Sequence, residues 1–386
     1  MRLARRMAEI EPFHVMALLA RARELEAQGR SVIHMEIGEP DFQTPEPIIR
    51  AGVRALEKGE LFYTPTPGLP QLREAIAGYY RSRYGVELSP ARILVTTGAS
   101  AALMLVCAAL IDPGDEVLLA DPGYPANRHF VRVFEGIPRP VPVDAASGYQ
   151  LAPAHLERRW GPRTAAALVA SPSNPTGTLI STEWLAEMAE IARARGGALI
   201  VDEIYHGLVY EGEYTTAAAL ADDVFVINSF SKYFNMTGWR LGWMVAPERA
   251  VGELDKLAQN LYLAAPTPAQ HAALAAFEPE TLAILEARRQ EFRARRDYLV
   301  PALRALGFEI PVMPQGAFYI YAGCGRITRD SFGFARDLLE RAGVAITPGV
   351  DFGANAPERH VRFAYTNSIE RLQEGVARIA DFLRKT

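Results

Sequence analysis

VFVINSFSK, Val224–Lys232, sets an uninterrupted apolar run ahead of a polar tail. The run does not alternate apolar with polar positions, so the strand it predicts is covered on both faces. The same form recurs in RILVTTG (Arg92–Gly98), EVLLAD (Glu116–Asp121), AALVASP (Ala166–Pro172), ALIVDE (Ala198–Glu203) and LGWMVAP (Leu241–Pro247). Helical stretches lie between several of these runs. One is STEWLAEMAEIARARG (Ser181–Gly196), with Ser181 or Thr182 as N-cap and Gly196 as stop. Strands covered on both sides, alternating with helices, predict an α/β fold with a mostly parallel sheet. ETLAILEARRQEFRARRDYLVPALRAL (Glu280–Leu306) then reads as one long amphipathic helix leading out of that unit. GAFYIYAG (Gly316–Gly323), GVAITPG (Gly343–Gly349) and HVRFAYT (His360–Thr366) read as strands of a smaller α+β unit. The expected division is 1–40 as an N-terminal helix and arm packing with the small domain, 41–280 as the large domain and 281–386 as the small one.

In open α/β sheets, ligands bind beyond the carboxyl ends of the strands. Four runs end in TTGAS, SPSNPTG, DEIY and SFSK, which predicts Ser100, Asn174, Asp202, Tyr205 and Lys232 along one edge. Each has an ordinary reading taken alone. Asp202 suits a helix cap, Asn174–Pro175 a turn, Ser100 an N-cap and Lys232 a solvated loop. The coincidence of the four exits carries the argument. Lysine usage adds to it: of 41 basic residues, only Lys58, Lys232, Lys256 and Lys385 are lysines. Arginine is the better surface charge, but it cannot lose its proton and attack a carbonyl. TTGAS also closes a strand and opens the apolar helix ALMLVCAALI, whose free N–H groups favour a phosphate. Ser229, Ser231 and Arg240 can add donors to it.

Taken together, these motifs resemble the class I/II, fold-type I aminotransferases that depend on pyridoxal phosphate (PLP). The resemblance runs from IGEPDFQTP (Ile37–Pro45) through YTPTPGLPQLREAIA, TTGAS, DPGDEV, DPGYP, SPSNPTG, VDEIY and SFSKYFNMTGWRLGW to HVRFAYT. It implies a large domain with a mostly parallel seven-stranded sheet flanked by helices. It implies a Schiff base between Lys232 and PLP, Asp202 pairing with the pyridinium nitrogen, and Tyr205 and Asn174 bonding the ring's phenolic oxygen. Ala99, Ser100, Ser229, Arg240 and Ser231 would hold the phosphate, and Tyr124 would stack on the ring. Tyr63 would reach the phosphate of a neighbouring subunit, making a homodimer the functional unit. Gly38 and Arg362 would take the substrate α-carboxylate, with Asn174 and Tyr124 also lining the substrate site.

The substrate side is read from what is missing. TTGASAALMLVCAALI and LAQNLYLAAPTPAQHAAL (Leu257–Leu274) contain no lysine or arginine. A pocket edged by Phe13, Val15, Tyr63, Tyr262 and Leu263 would be apolar, so the expected donor is a neutral or hydrophobic amino acid with a 2-oxo acid acceptor. Arg128 or Arg21 swinging in would change that. Rival chemistries on the same cofactor are C–S β-elimination and the ring closure of aminocyclopropane-carboxylate synthases. A regulator fused to a DNA-binding module is a third, but only about 35 residues precede IGEPDF, too few for such a module. A net charge of -4 gives no basic field for nucleic acid. No apolar run reaches the ~18 residues of a membrane span. The arginine-rich N-terminus lacks a signal core and reads as one helix ending near Gly29. Cys107 reads as core and Cys324 as a loop residue, with no disulfide framework or metal cluster between them. These features together predict a cytoplasmic protein.

Overall fold

Twelve strands and twelve α-helices carry the chain in the computed structural model, which describes residues 1–59 and 61–385. The chain enters through α1 (His14–Ala27), β1 (Ile33–His34), α2 (Glu46–Lys58) and α3 (Pro70–Tyr84). It then alternates β2 (Ile93–Thr96), α4 (Ala99–Leu110), β3 (Glu116–Asp121), α5 (Pro125–Val133) and β4 (Ile137–Pro142). After α6 (Pro153–Arg159) come β5 (Thr164–Ala170), α7 (Thr182–Ala194), β6 (Ala198–Asp202), β7 (Phe225–Ser229) and β8 (Gly242–Val245). Helices α8 (Glu248–Leu261), α9 (Thr267–Leu274) and α10 (Pro279–Ala305) lead to β9 (Tyr319–Gly323) and α11 (Ser331–Ala342). The chain finishes with β10 (Val344–Ala345), β11 (Thr347–Pro348), β12 (His360–Ala364) and α12 (Ile369–Arg384).

Seven strands form the main sheet in the order β2-β8-β7-β6-β5-β3-β4. Only β8 runs antiparallel to its neighbours, β2 and β7. The carboxyl ends of the other six strands therefore share one edge, and the residues just before β8 lie on that same edge. This reversal brings Arg240 to the edge that carries Asp202 and Lys232. The period-two alternation of each strand feeds two cores. Ala167, Val169, Leu199 and Val201 point into one, and Ala166, Leu168, Ala198 and Ile200 into the other. Each fully buried Val, Leu or Ile among them contributes ~1.5–3 kcal/mol.

Strand β4, IPRPVP, has no counterpart among the runs picked out by sequence, because three prolines argue against a strand. It survives because it lies at the end of the sheet. Its prolines take alternate positions, leaving the N–H groups of Ile137, Arg139 and Val141 for pairing with β3.

The N-terminus departs from the single predicted helix. Arg5–Glu9 form a short 3-10 turn, and α1 starts only at His14. Pro12 explains the break, since it lacks an N–H and disfavours helical geometry at Glu11. The buried carboxylate of Asp351 then caps α1, accepting from the N–H groups of His14 (2.7 Å) and Val15 (2.8 Å).

Strands β11, β12 and β9 make a small antiparallel sheet, and β1 pairs in parallel with β10. GVAITPG, expected as one strand, is thus split about Ile346 between two sheets. Cys324, expected in a loop, follows β9 directly and is fully buried, its N–H donating to Arg359 O. Among the described residues no helix is long and apolar enough to cross a membrane.

Candidate active site

SFSKYF shows how sequence aims a lysine. The chain leaves β7 at Ser229 and turns back, Met236 N–H donating to Phe230 O and Phe230 N–H to Leu241 O. Phe230, Tyr233 and Phe234 are buried, with Phe230 packing on Trp243 at 4.9 Å between ring centroids. Anchoring these rings in the core leaves the Lys232 side chain to the other side, where it lines a cavity of about 450 Å³ at the carboxyl edge of the sheet. Its Nζ donates to Gly38 O at 2.6 Å. Burial is the largest cause that lowers the Lys232 pKa to about 8. The Arg362 and Arg240 charges add to the fall, and Glu39 and Asp202 oppose it.

Asp202 closes β6 and lines the same cavity. Its Oδ1 accepts from Ile204 N–H at 3.0 Å, and burial raises its pKa to about 6. Tyr205, three residues on, is buried, which holds its phenol well above the usual range. Its hydroxyl shares a 2.8 Å hydrogen bond with the Tyr319 hydroxyl. Sequence reading missed Tyr319, because GAFYIYAG offers only an apolar strand and nothing there marks one tyrosine as different. In space it is central. The Arg362 guanidinium lies over its ring at 4.3 Å, and a Cβ on Gly38 would come within 2.0 Å of its hydroxyl. Residue 38 is therefore held to glycine by close packing.

The start of α4 is built as an anion cradle. Its N-cap is Gly98, at φ 83°, and no side chain caps the first turn. A Cβ at Gly98 would meet Arg240 Nη2 at 2.8 Å, and one at Gly242 would meet Ala99 N at 2.8 Å. Two glycines thus keep the free N–H groups open beside a guanidinium. Ser229 Oγ donates to Leu241 O and accepts from Ser231 N–H, at the same end of β7.

Arg362 comes from β12, where Val361 and Phe363 fill the core and the alternate position faces the cavity. Its guanidinium, 5% exposed, lies between the rings of Tyr319 and Phe352. It donates to Asn174 Oδ1 at 2.8 Å, to Thr347 Oγ1 at 3.2 Å and to Glu36 O. Its Nε–H has no partner, and no carboxylate among the described residues pairs with it. A buried cation with a vacant donor is costly unless something anionic completes it.

Nine of the predicted site residues line this one cavity: Gly38, Ala99, Ser100, Tyr124, Asn174, Asp202, Tyr205, Lys232 and Arg362. Ser229, Ser231 and Arg240 lie behind it at the start of α4. Tyr63 is not in the lining and is 83% exposed. Phe13 and Val15 edge the cavity as expected, whereas Tyr262 and Leu263 do not. These two directly follow α8.

The donor set fits PLP in three respects. An amine of lowered pKa can meet an aldehyde, a buried carboxylate can meet a ring nitrogen, and an uncapped helix start with an arginine can meet a phosphate. Comparison with known proteins agrees. The sequence profile described as Aminotransferase class I and II matches residues 30–379. The chain is 39% identical over 386 residues to a (5-formylfuran-3-yl)methyl phosphate transaminase of Methanocaldococcus jannaschii, covering 99% of this chain and 100% of that one. It is 36% identical to a valine–pyruvate aminotransferase of Mycobacterium tuberculosis, over 97% of each. The crystal structure of an aminotransferase from Mycobacterium tuberculosis superposes with a TM-score of 0.96 at 35% identity, covering 100% of both chains. The profile match along nearly the whole chain and the full-length relatives make this protein a member of the class I and II aminotransferases, PLP-dependent enzymes of fold-type I.

Proposed function

We propose that this aminotransferase moves the amino group of a neutral or hydrophobic L-amino acid to a 2-oxo acid, with Lys232 holding the cofactor and then carrying the proton. The net exchange consumes no oxidant: the donor leaves as its 2-oxo acid and the acceptor leaves as an amino acid. When bound, PLP supplies an electron sink for the charge that develops at the substrate Cα. The rest is the work of the chain. Lys232 Nζ takes the Cα proton and returns it on the cofactor side, a task suited to an amine whose pKa has fallen to about 8. Asp202 would accept from the protonated ring nitrogen, whose positive charge would offset the cost of a buried carboxylate. Tyr205 and Asn174 would donate to the ring oxygen, and Tyr124 would lie against the ring. Ala99, Ser100, Ser229, Ser231 and Arg240 would hold the phosphate. Arg362 and Gly38 take the α-carboxylate, which fills the vacant donor on Nε.

The donor class rests on the wall of the cavity, which includes Phe13, Val15, Met16, Leu19 and Leu103. The valine–pyruvate relative supports it. We also infer a homodimer in which Tyr63 reaches the partner's phosphate. Leu61, Phe62, Tyr63, Leu261 and Leu263 are all at least 47% exposed, and Thr267 Oγ1 donates to Phe62 O, tying the two loops together. Such an apolar patch calls for cover. Domains at 1–40, 41–280 and 281–386, and residence in the cytoplasm, belong to the same proposal. The unpaired buried thiols of Cys107 and Cys324 support a reducing compartment.

The test is an absorbance scan of the purified enzyme against a panel of amino acids, with the products identified. Neutral donors should convert the cofactor to its amine form fastest. A clear preference for aspartate would overturn the donor class, and ammonia released without an acceptor would indicate elimination. Lys232→Ala should cut turnover by at least roughly 10⁴-fold while the protein stays folded.

A further inference from the structure

Of the two arginines singled out by sequence, Arg21 forks onto Glu340 of α11. Arg128 lines a second cavity, of about 250 Å³, that the reaction does not use. Tyr124, Ala170 and Asn174 line both cavities, whereas Lys232 and Arg362 line only the first. The deeper lining of the second cavity is polar and neutral: Asn127, Gln150 and Ser173 are each at most 7% exposed. The Asn127 amide and the Ser173 hydroxyl make no hydrogen bond with any described residue. Gln150 donates through Nε2 to Thr178 O, and its Oε1 bonds to no described residue.

Charged residues make up the outer part, where Arg128 and Arg132 are half-buried and Glu9 and Glu11 are exposed. Most of the charge is closed. Arg132 pairs with Glu9, and Asp121 accepts from the N–H groups of Ala354 and Asn355. Two groups are left open. Arg128 donates to Asp351 O at 2.7 Å, but no carboxylate among the described residues pairs with it. Glu11 makes no hydrogen bond or ion pair with any described residue. Helix α5 repeats the pattern atom by atom: Asn127 Oδ1, Arg128 Nε, His129 Nδ1 and Arg132 Nε are all buried without a partner. One such atom is unremarkable in a chain of this size. Four along one helix, all on residues lining one cavity, call for a partner from outside the chain.

We propose that this cavity is a second ligand site, separate from the reaction, for a small α-amino acid with a hydroxyl or amide side chain. Its carboxylate meets Arg128, where a planar fork matches it. Its ammonium meets Glu11, and its side chain reaches in to Asn127, Gln150 and Ser173. One open cation and one open anion suit a zwitterion, whereas a 2-oxo acid would leave Glu11 without a cation. At ~30 Å³ per water, the volume holds about eight non-hydrogen atoms, the size of serine, threonine or asparagine. A purely apolar side chain would leave the three neutral polar groups unpaired, which disfavours it. Binding here does not depend on which amino acid serves as donor.

The test is calorimetric titration of holoenzyme reduced with borohydride, which fixes the cofactor to the chain and lets an amino acid bind without turning over. L-Serine, L-threonine or L-asparagine should bind at one site per chain. Arg128→Gln should weaken that binding by roughly 10- to 100-fold, and Glu11→Gln and Asn127→Leu by roughly 10-fold each. Arg362→Gln should leave it unchanged. 3-Hydroxypropionate, which lacks the ammonium, and ethanolamine, which lacks the carboxylate, should each bind at least roughly 10-fold more weakly than L-serine. Weakening by Arg362→Gln but not by Arg128→Gln would put the ligand in the active site and overturn the proposal. L-Alanine binding as tightly as all three polar amino acids, or none of the three binding at millimolar concentration, would overturn it too. None of these outcomes bears on the aminotransferase reading, which the donor panel tests separately.

Discussion

Asp202 and Glu203 are neighbours in the chain, both carboxylates and both buried, yet they are left in opposite states. Glu203 points away from the cavity. Its two oxygens accept from Ala217 N–H (2.7 Å) and Thr216 Oγ1 (2.8 Å), and His206 lies 3.3 Å away. Asp202 points into the cavity with one backbone hydrogen bond. The arginines repeat the contrast. Arg296, 2% exposed, is closed by Glu211, Asp297, the Pro314 carbonyl and the Tyr210 ring. Arg362 is almost as buried but has no acid and keeps a vacant Nε–H. In this molecule buried charge as such marks structure. Buried charge whose hydrogen-bonding capacity is left open marks the site, because only a ligand can complete it.

Two pairs of substitutions would break that contrast if it is wrong. The largest effect is expected at the carboxylates. Asp202→Asn should lower kcat by roughly 10³-fold, about 4 kcal/mol of transition-state stabilisation, with no loss of unfolding free energy in urea. Glu203→Gln should do the reverse, leaving kcat within about twofold and costing ~1–2 kcal/mol of stability. The arginines should follow with a smaller effect. Arg362→Gln should reduce kcat/KM for every amino acid by roughly 10²-fold, read from steady-state rates. Arg296→Gln should spare kcat/KM and destabilise the fold by about 2 kcal/mol, since its acidic partners are half exposed and stay solvated. If Arg296→Gln impaired catalysis as much as Arg362→Gln, closure would not be the distinguishing property.

Most of the main sheet was legible because each covered strand announces itself as a short apolar run. Strand β4 was not, since its pairing depends on which alternate positions hold proline and on its place at the sheet edge. The residues at the strand ends were legible for a related reason: topology sends every exit to one side, whatever the loops then do. What sequence could not reach is contact between distant elements. Tyr319 matters because β9 carries it under Arg362 and against Tyr205, and no local pattern encodes that meeting. Arg23 and Arg21 sit on the same helix, and only the three-dimensional facing of α1 separates the one that lines the active-site cavity from the one tied to α11. Tyr63, Tyr262 and Leu263 lie outside this chain's own cavity, which is where a residue serving a partner subunit would be.

The finest version of the contrast concerns the lysine itself. Burial disfavours the charged amine, so the Lys232 pKa falls to about 8. At pH 7 about one-tenth of Lys232 is then neutral and nucleophilic, against roughly one in three thousand for an ordinary lysine. The sign fixes the direction: reactivity rises with pH and levels off above about 8, where further deprotonation adds nothing. Competitive labelling of the cofactor-free protein with an amine reagent, read by mass spectrometry at Lys232 against a free alkylamine in the same tube, should show Lys232 reaching its plateau about two pH units before the usual lysine range. Asp202→Asn removes a negative charge that opposes the fall, and should move the plateau lower still. Arg362→Gln removes a positive charge that favours it, and should move it higher. Glu203→Gln and Arg296→Gln, which alter closed clusters, should leave it in place. A Lys232 profile that tracks the free alkylamine would remove the lowered pKa from the mechanism and, with it, the reason this position holds a lysine in a chain that otherwise prefers arginine.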